Sequence, residues 1–225
     1  MSPHSARGAS TGMTRLLRRS ATVQARENKT ADKRERILEA AIKMFAERGF
    51  HTATVAEIAR AAGVADGTIY LYFKSKEDLL LRLFDEKMTE LTAEARAEVE
   101  GQHTAPEKLR RFIQLHLALV ERNPDLASVL IVELRQSAQF LRTADRNKLA
   151  AYADVIGEAV RAGQESGELD ATVSPGTVKR AIFGALDELA LAWLLGGRRA
   201  SLRKTAAEVA EWFVRGLLPA DGGKS

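Results

Sequence analysis

The sequence TVAEIARAAGVADGTIYLYFKSK, residues Thr54–Lys76, carries the most specific structural pattern in this chain. Thr54 and Glu57 have the spacing of a capping box, in which the hydroxyl and the carboxylate satisfy free backbone N–H groups at a helix start. The helix that follows is short, and Gly63 supplies a tight turn into a second short helix at about residues 66–72. Two short helices joined in this way predict a helix-turn-helix, whose second helix enters the major groove of DNA.

The side chains of these two helices divide into an apolar set, which predicts a core, and a polar or small set on the outer side. Hydroxyls, small residues and a lysine suit a surface that touches phosphates and base edges. The tyrosines have an alternative interpretation as packing residues, because an exposed tyrosine often covers apolar neighbours. The outer set consists of Gly67, Thr68, Tyr70, Tyr72 and Lys74.

Helical periodicity extends outward from this stretch in both directions. Upstream, apolar residues from Lys33 fall at the i, i+3, i+4 and i+7 spacing of an amphipathic helix, which Gly49 ends as a left-handed cap. Downstream, Ser75 opens a long helix that carries Phe84 and Met88. Three helices in so short a segment bury little surface alone, so we expect them to pack on this long helix.

The same periodicity predicts helices through the rest of the chain. Thr104 and Pro124 begin two of them, residues 129–132 are apolar nearly all round as in a buried helix, and Ser174 begins another. No alternating run is long enough for a sheet. The predicted fold class is all-α, with about nine helices divided between a three-helix head and a larger helical body.

Composition narrows the function classes. The chain has 225 residues, of which 45% are hydrophobic and 28% charged, as is typical of a globular protein. The absence of cysteine excludes disulfides, thiolate metal sites and cysteine nucleophiles. No apolar stretch approaches the ~18–20 residues of a membrane span. We therefore expect a soluble cytoplasmic protein.

No constellation of residues predicts an enzyme. Asp187 and Glu188 are adjacent on a predicted helix, so their side chains point about 100° apart and cannot form a paired acid–base site. We therefore expect no catalysis, no metal and no cofactor. His116 falls on an apolar helix face, where a core or pocket-lining role is expected. None of the histidines has metal-ligand spacing; they are His4, His51, His103 and His116.

Positive charge is concentrated at the N-terminal end. Residues 1–34 hold eight Lys or Arg against two Asp or Glu, whereas the whole chain has a net charge of +4. A basic segment attracts polyanions such as nucleic acid, although a solvated tail has the same composition. The predicted organisation is a disordered basic extension (1–30), a helix-turn-helix domain (31–78), a helical domain (79–218) and a flexible tail (219–225).

Residues 33–84 resemble the N-terminal domain of the TetR family of one-component repressors. The family's G-T-x-Y-x-Y/H-F run is present as Gly67–Phe73, and its lysine-containing continuation as Lys74–Leu79. The resemblance implies a homodimer that binds double-stranded operator DNA through this head and a small-molecule effector through the body. It further implies that Thr54, Lys74 and Lys76 contact phosphate. The DNA-contacting set is then Thr54, Ala65, Gly67, Thr68, Tyr70, Tyr72, Lys74 and Lys76.

Two stretches of the body, Leu130–Ser137 and Ile182–Glu188 with Trp193, resemble the FadR-type branch of this family. The resemblance implies repression of fatty-acid degradation genes, with release from the operator by long-chain acyl-CoA. Charged residues in the otherwise apolar 130–137 helix need partners or a ligand. The predicted ligand-contacting set is Phe84, Met88, His116, Leu130, Leu134, Arg135, Gln136, Phe183 and Trp193. Candidate cations for the coenzyme A phosphates are Arg135, Arg142, Arg146 and Lys148.

Two alternatives stay open at this point. One is a TetR-type repressor that answers another apolar molecule, such as a drug, and the other is a helical enzyme or carrier that handles acyl-CoA. Whether the repressor answers acyl-CoA or another apolar molecule, we expect the ligand to move the head through the helix that begins at Ser75. A four-helix dimer interface is predicted on the last two helices, at Gly184, Ala185, Ala192, Trp212 and Phe213.

Overall fold

The structure, a computed structural model, describes residues 30–134 and 146–219. Every regular element in these ranges is helical, which confirms the all-α prediction. The head consists of α1 (30–48), α2 (Val55–Ala62) and α3 (Asp66–Ile69). Its core is formed by fully buried side chains, the largest of which are Phe45, Phe73, Ile37, Leu38, Ile58 and Ile69.

Both ends of α2 follow from local sequence. The Thr54 hydroxyl accepts a hydrogen bond from Glu57 N (3.2 Å), and the Glu57 carboxylate accepts one from Thr54 N (3.0 Å), so the predicted capping box is confirmed. Gly63 ends the helix at φ 65°, a left-handed conformation that glycine adopts without a Cβ clash. Val64 N then donates to Ala59 O (3.0 Å), which closes the predicted turn.

The second helix of the motif is shorter than the sequence predicts. Regular α-helix ends at Ile69 rather than near residue 72. The next residues form tighter turns with hydrogen bonds between residues i and i+3, because Leu71 N donates to Thr68 O (3.1 Å) and Tyr72 N donates to Ile69 O (3.0 Å). The recognition element is therefore one α-helical turn followed by a tighter turn.

Helix α4 (Lys76–Glu100, 25 residues) is shared by the head and the body. Ser75 begins it by accepting a hydrogen bond from Asp78 N (3.1 Å), as the sequence predicts. Leu79 and Leu80 are buried near its start, whereas Phe84 and Met88 are buried further along. The early turns thus close the head and the later turns lie in the body.

Within the described residues, the body contains five further helices. They are α5 (Ala105–Arg122), α6 (Pro124–Ser128), α7 (Arg146–Glu165), α8 (Pro175–Leu195) and α9 (Leu202–Arg215). Helix α7 packs against α4, α5 and α8, while α9 covers the other side of α5. A single apolar core runs from the head through the body. No helix in the part of the chain that the structure describes is long and apolar enough to cross a membrane.

The apolar run at 129–132 adopts an unexpected backbone. Helix α6 continues into a π-helical turn over Val129–Glu133, in which Leu134 N donates to Val129 O. Val129 and Ile131 are buried there, whereas Leu130 and Glu133 are partly exposed. The prediction of a buried helix is correct for the apolar positions, but hydropathy carries no information about a π-turn.

Candidate DNA-binding surface and ligand cavity

The outer face of the recognition element is open to solvent. Tyr70 is 58% exposed and Leu71 is 81% exposed, which is unusual for side chains of their size. Ala65, Gly67 and Lys74 are also exposed, and Thr68 is partly so. A Cβ added at Gly67 would meet no atom within 4 Å, so no described residue fills the space beside it. This face is available to a groove of DNA.

Tyr72 does not share that exposure. Its ring is half-buried, packs against the apolar core and lies 6.4 Å from the ring of Phe73. The sequence predicts Tyr72 on the outer side, whereas the structure packs its ring partly against the core. Of the two tyrosines, the packing interpretation therefore describes Tyr72, and the outward one describes Tyr70.

The hydroxyl of Thr54 is engaged within its own capping box. Besides accepting from Glu57 N, Thr54 Oγ1 donates to Glu57 Oε2 (2.9 Å). Hydrogen bonds from the Thr54 backbone and side chain lower the pKa of Glu57, and the nearby Arg48 guanidinium (2.6 Å) adds to the effect. Thr54 is exposed, but its phosphate contact remains a prediction.

Lys76 is used inside the head. Its Nζ donates to the carbonyl oxygens of Phe50 (2.7 Å), His51 (3.2 Å) and Ala53 (2.9 Å). It also lies 4.7 Å from the centroid of the Phe50 ring. An ammonium group has three N–H donors, so these acceptors use all of them. The predicted phosphate contact of Lys76 is at odds with this placement. The side chain of Lys74, in contrast, is exposed to solvent.

Ion pairs fasten α1 to α4. Arg34 pairs through both terminal nitrogens with the Glu86 carboxylate, including an Nη1–Oε2 distance of 2.6 Å, and this hydrogen bonding raises the pKa of Arg34. The Arg34 guanidinium also lies 5.4 Å from the ring centroid of Phe73. Lys87 bonds Glu35 one position further along each helix (3.4 Å). The start of α1 is thereby held on the middle of α4.

The body contains a partly open apolar cavity of about 480 Å³ between α4, α5, α6 with its π-turn, α7 and α8. Such a volume lies in the range of pockets that hold small molecules, roughly 300–1,000 Å³. Six members of the predicted ligand-contacting set lie in its wall: Phe84, Met88, His116, Leu130, Leu134 and Phe183. The wall also contains residues that the sequence analysis did not assign to a ligand, among them Leu126, Leu149, Tyr152 and Lys179.

The polar part of the wall centres on His116. Its Nδ1 lies 3.1 Å from the Tyr152 hydroxyl, and its Nε2 is buried with no hydrogen-bond partner among the described residues. Burial lowers the pKa of His116 to about 4, although the charge of Asp187 opposes the shift. Burial also raises the pKa of Tyr152. The imidazole of His116 is therefore neutral near pH 7 and adds no positive charge to the cavity wall.

The remaining predicted ligand contacts that the structure describes lie outside the cavity wall. Trp193 is not in the cavity wall, because its Nε1 donates to Ala200 O (2.7 Å) at the far end of α8. Lys148 Nζ donates to Thr89 Oγ1 (2.9 Å) on the body surface. The predicted contacts Arg135, Gln136 and Arg142 lie outside the described residues, as does the side chain of Arg146.

Helices α8 and α9 present an exposed face to solvent. Trp212 is 72% exposed and Leu195 is 73% exposed. Gly184 and Ala192 are exposed on α8, and no described atom lies within 4 Å of a Cβ built at Gly184. Ala185 and Phe213 are partly buried. The small exposed residues of α8 leave room for another helix to approach closely.

Comparison with known proteins agrees with this arrangement of head and body. A family model described as "Bacterial regulatory proteins, tetR family" matches residues 37–83. A second model, described as "YsiA-like protein, C-terminal region", matches residues 84–216. The boundary between the two matches falls in α4, the helix that the head and body share.

The relatives include the fatty acid metabolism regulator protein of Bacillus subtilis, which is 37% identical over 80% of this chain and 93% of its own length. Two solved structures are also similar. One is the fatty acid degradation regulator FadR from Bacillus halodurans (TM-score 0.78, 35% identity, 82% of this chain and 95% of the other). The second is FadR from Bacillus subtilis in complex with stearoyl-CoA (TM-score 0.77, 37% identity, 81% and 98%). The chain therefore belongs to the TetR family of bacterial regulatory proteins.

Proposed function

We propose that this protein is a DNA-binding repressor of fatty-acid degradation genes, which long-chain acyl-CoA releases from its operator. The observation that carries the proposal is the apolar cavity of about 480 Å³, bounded by the same helix that holds the head. A ligand in that cavity contacts Phe84 and Met88 of α4 directly. Regulation of DNA binding by an apolar ligand is the function that this connection supports best.

The chemistry of the cavity wall favours a long acyl chain. Leucine, isoleucine, methionine and phenylalanine side chains dominate it, and burial keeps His116 neutral. A related regulator of known structure, 37% identical to this chain, binds stearoyl-CoA. Burying each methylene of an acyl chain contributes about 0.8 kcal/mol, so chain length should strongly affect affinity.

For DNA, we propose that Thr68 and Tyr70 read base edges and that Lys74 contacts phosphate. Tyr70 and Lys74 are exposed on the outer face of the recognition element, and Thr68 is partly exposed there. Thr54, Ala65 and Gly67 would lie beside the backbone, where their small size permits close approach. Such a protein acts where the DNA is, in the cytoplasm.

We propose a homodimer with two recognition elements, formed through the exposed face of α8 and α9 around Trp212. A two-fold dimer would present these elements to half-sites about 34 Å apart, one helical turn of DNA. In this proposal, residues 31–78 form the DNA-binding domain and residues 79–218 form the domain that binds ligand and partner.

The proposal is tested by fluorescence anisotropy with a labelled duplex from the region upstream of the protein's own gene. Stearoyl-CoA should weaken binding by about 5–150-fold, the usual range of coupling between two sites. Stearate and coenzyme A, each added alone, are the ligand controls. No effect of stearoyl-CoA, or an equal effect of stearate, would contradict the acyl-CoA assignment, and a response only to an unrelated apolar drug would favour the alternative effector.

A cavity-filling variant locates the ligand. Leu130→Trp should remove the response to stearoyl-CoA, because the indole occupies cavity volume that the ligand would need. Ala97→Trp adds the same ring on an exposed position of α4 and should respond like the unmutated protein. A full response in Leu130→Trp would place the ligand elsewhere.

A further inference from the structure

Glu133 joins the wall of the cavity to the head. Its Oε2 accepts a hydrogen bond from Phe50 N (2.7 Å), 83 positions earlier in the chain. Glu133 is the last residue of the π-helical turn, and its neighbours Leu130, Ile131 and Leu134 line the cavity. A displacement of this wall by a ligand therefore moves the carboxylate that holds Phe50 N.

Glu133 contacts the segment of residues 50–53, which other side chains of the head hold in place. Lys76 Nζ donates to three carbonyl oxygens of residues 50–53, and the buried Phe50 ring lies 5.4 Å from the ring of Phe45. Gly49, at φ 78°, would place a Cβ 3.4 Å from Glu133 Oε2, so the carboxylate approaches this turn closely. The segment connects α1 to α2, the first helix of the helix-turn-helix, and its displacement reaches the DNA-contacting elements.

The body thus holds α1 at both of its ends. Arg34 and Glu35, near the start, bond Glu86 and Lys87 of α4, whereas Phe50, just beyond the end, bonds Glu133. At 1.5 Å per residue these attachments are about 24 Å apart. A shift of about 1 Å at Glu133, with the other end held, turns α1 by about 2°.

We propose that Glu133 is a positioning residue that couples occupancy of the cavity to the orientation of the head. This inference rests on the proposed function, because it requires a ligand in the cavity. It differs from a signal carried by α4 alone, since the movement enters the head at the opposite end of α1. The carboxylate acts by its hydrogen bond to Phe50 N and touches neither the cavity ligand nor DNA.

The test measures operator affinity of the full chain with and without saturating stearoyl-CoA, using a duplex that the protein selects from a random-sequence pool. In Glu133→Ala the fold-change caused by stearoyl-CoA should fall to less than about a third of the unmutated value, out of a typical range of about 5–150-fold. Glu133→Gln retains a side-chain acceptor and should restore at least half of the response. Glu98→Ala removes a comparable carboxylate that bonds Arg111 within the body and should respond fully.

A second measurement uses the unmutated protein and is independent of whether Glu133→Ala folds. Saturating stearoyl-CoA should change the hydrogen–deuterium exchange rate of the Phe50 amide at least about threefold, because its acceptor moves. Unchanged exchange at Phe50, or an unmutated response in a folded Glu133→Ala protein, would overturn the role of Glu133 while leaving the proposed function intact. Absence of any stearoyl-CoA effect on the unmutated protein would instead overturn the proposed function, and this coupling with it.

Discussion

Replacing Lys76 by methionine should destabilise the protein without removing a direct contact to a DNA phosphate. Methionine retains most of the side-chain length but removes the three hydrogen bonds to the carbonyl oxygens of Phe50, His51 and Ala53. Hydrogen bonds to a charged group contribute about 1.5–3 kcal/mol each, although an exposed carbonyl recovers water. The bond to His51 is exposed and the other two are partly buried.

The expected loss of unfolding free energy is about 3 kcal/mol, mainly from the two partly buried bonds. For a protein of 150–250 residues, each kcal/mol lowers Tm by about 2–4 °C, so Tm should fall by about 6–12 °C. Urea unfolding and a thermal scan measure both quantities. The slope of log K against log salt for DNA binding should stay the same, because Lys76 Nζ has no free donor for phosphate.

Lys74→Met is the matched variant. Lys74 is exposed, so its loss should change Tm by no more than about 2 °C, as expected for a surface substitution. It should reduce the magnitude of the salt slope by about 0.9, the value for one phosphate contact on duplex DNA. A Lys76→Met protein with unchanged stability and a reduced salt slope would refute this reasoning and restore the phosphate contact that the family resemblance implies.

Three further predictions concern other parts of the molecule. Because burial lowers the pKa of His116 to about 4, the unfolded chain binds an extra proton between about pH 6.5 and 4, and folding stability should fall by roughly 3 kcal/mol as the pH drops through that window. In His116→Phe, urea unfolding at several pH values should lose this part of the pH dependence, and an unchanged slope would contradict the assignment. Trp212→Glu should raise the dimer Kd at least about tenfold in sedimentation, since a charge would be buried at the proposed interface; an unchanged dimer would place the interface elsewhere. Thr54→Ala and Thr104→Ala each remove the hydroxyl of a capping box and should cost about 1 kcal/mol of stability. Only Thr54→Ala should also weaken DNA binding beyond what its stability loss explains, and equal DNA affinities in the two variants would exclude the phosphate contact.

The sequence predicts part of the cavity wall but not all of it. Periodicity places Phe84, Met88 and His116 on inward helix faces, and the structure puts all three in one cavity wall. Tyr152 belongs to the same wall, yet its spacing predicts only a buried position. Trp193 has an equally apolar context but lies outside the cavity, because the direction of a side chain around α8 depends on which helices pack beside it.

The helices and the capping boxes follow from local sequence, because they depend on bonds between residues three or four positions apart. Thr54 and Glu57, or Thr104 and Glu107, carry that information in their spacing. The roles of Lys76 and Glu133, in contrast, depend on how the helices pack. Their partners lie more than twenty positions away, and no local pattern distinguishes a lysine that bonds distant carbonyls from one that faces phosphate. Such contacts are fixed when the helices pack, since packing alone determines which distant backbone groups a charged side chain can reach.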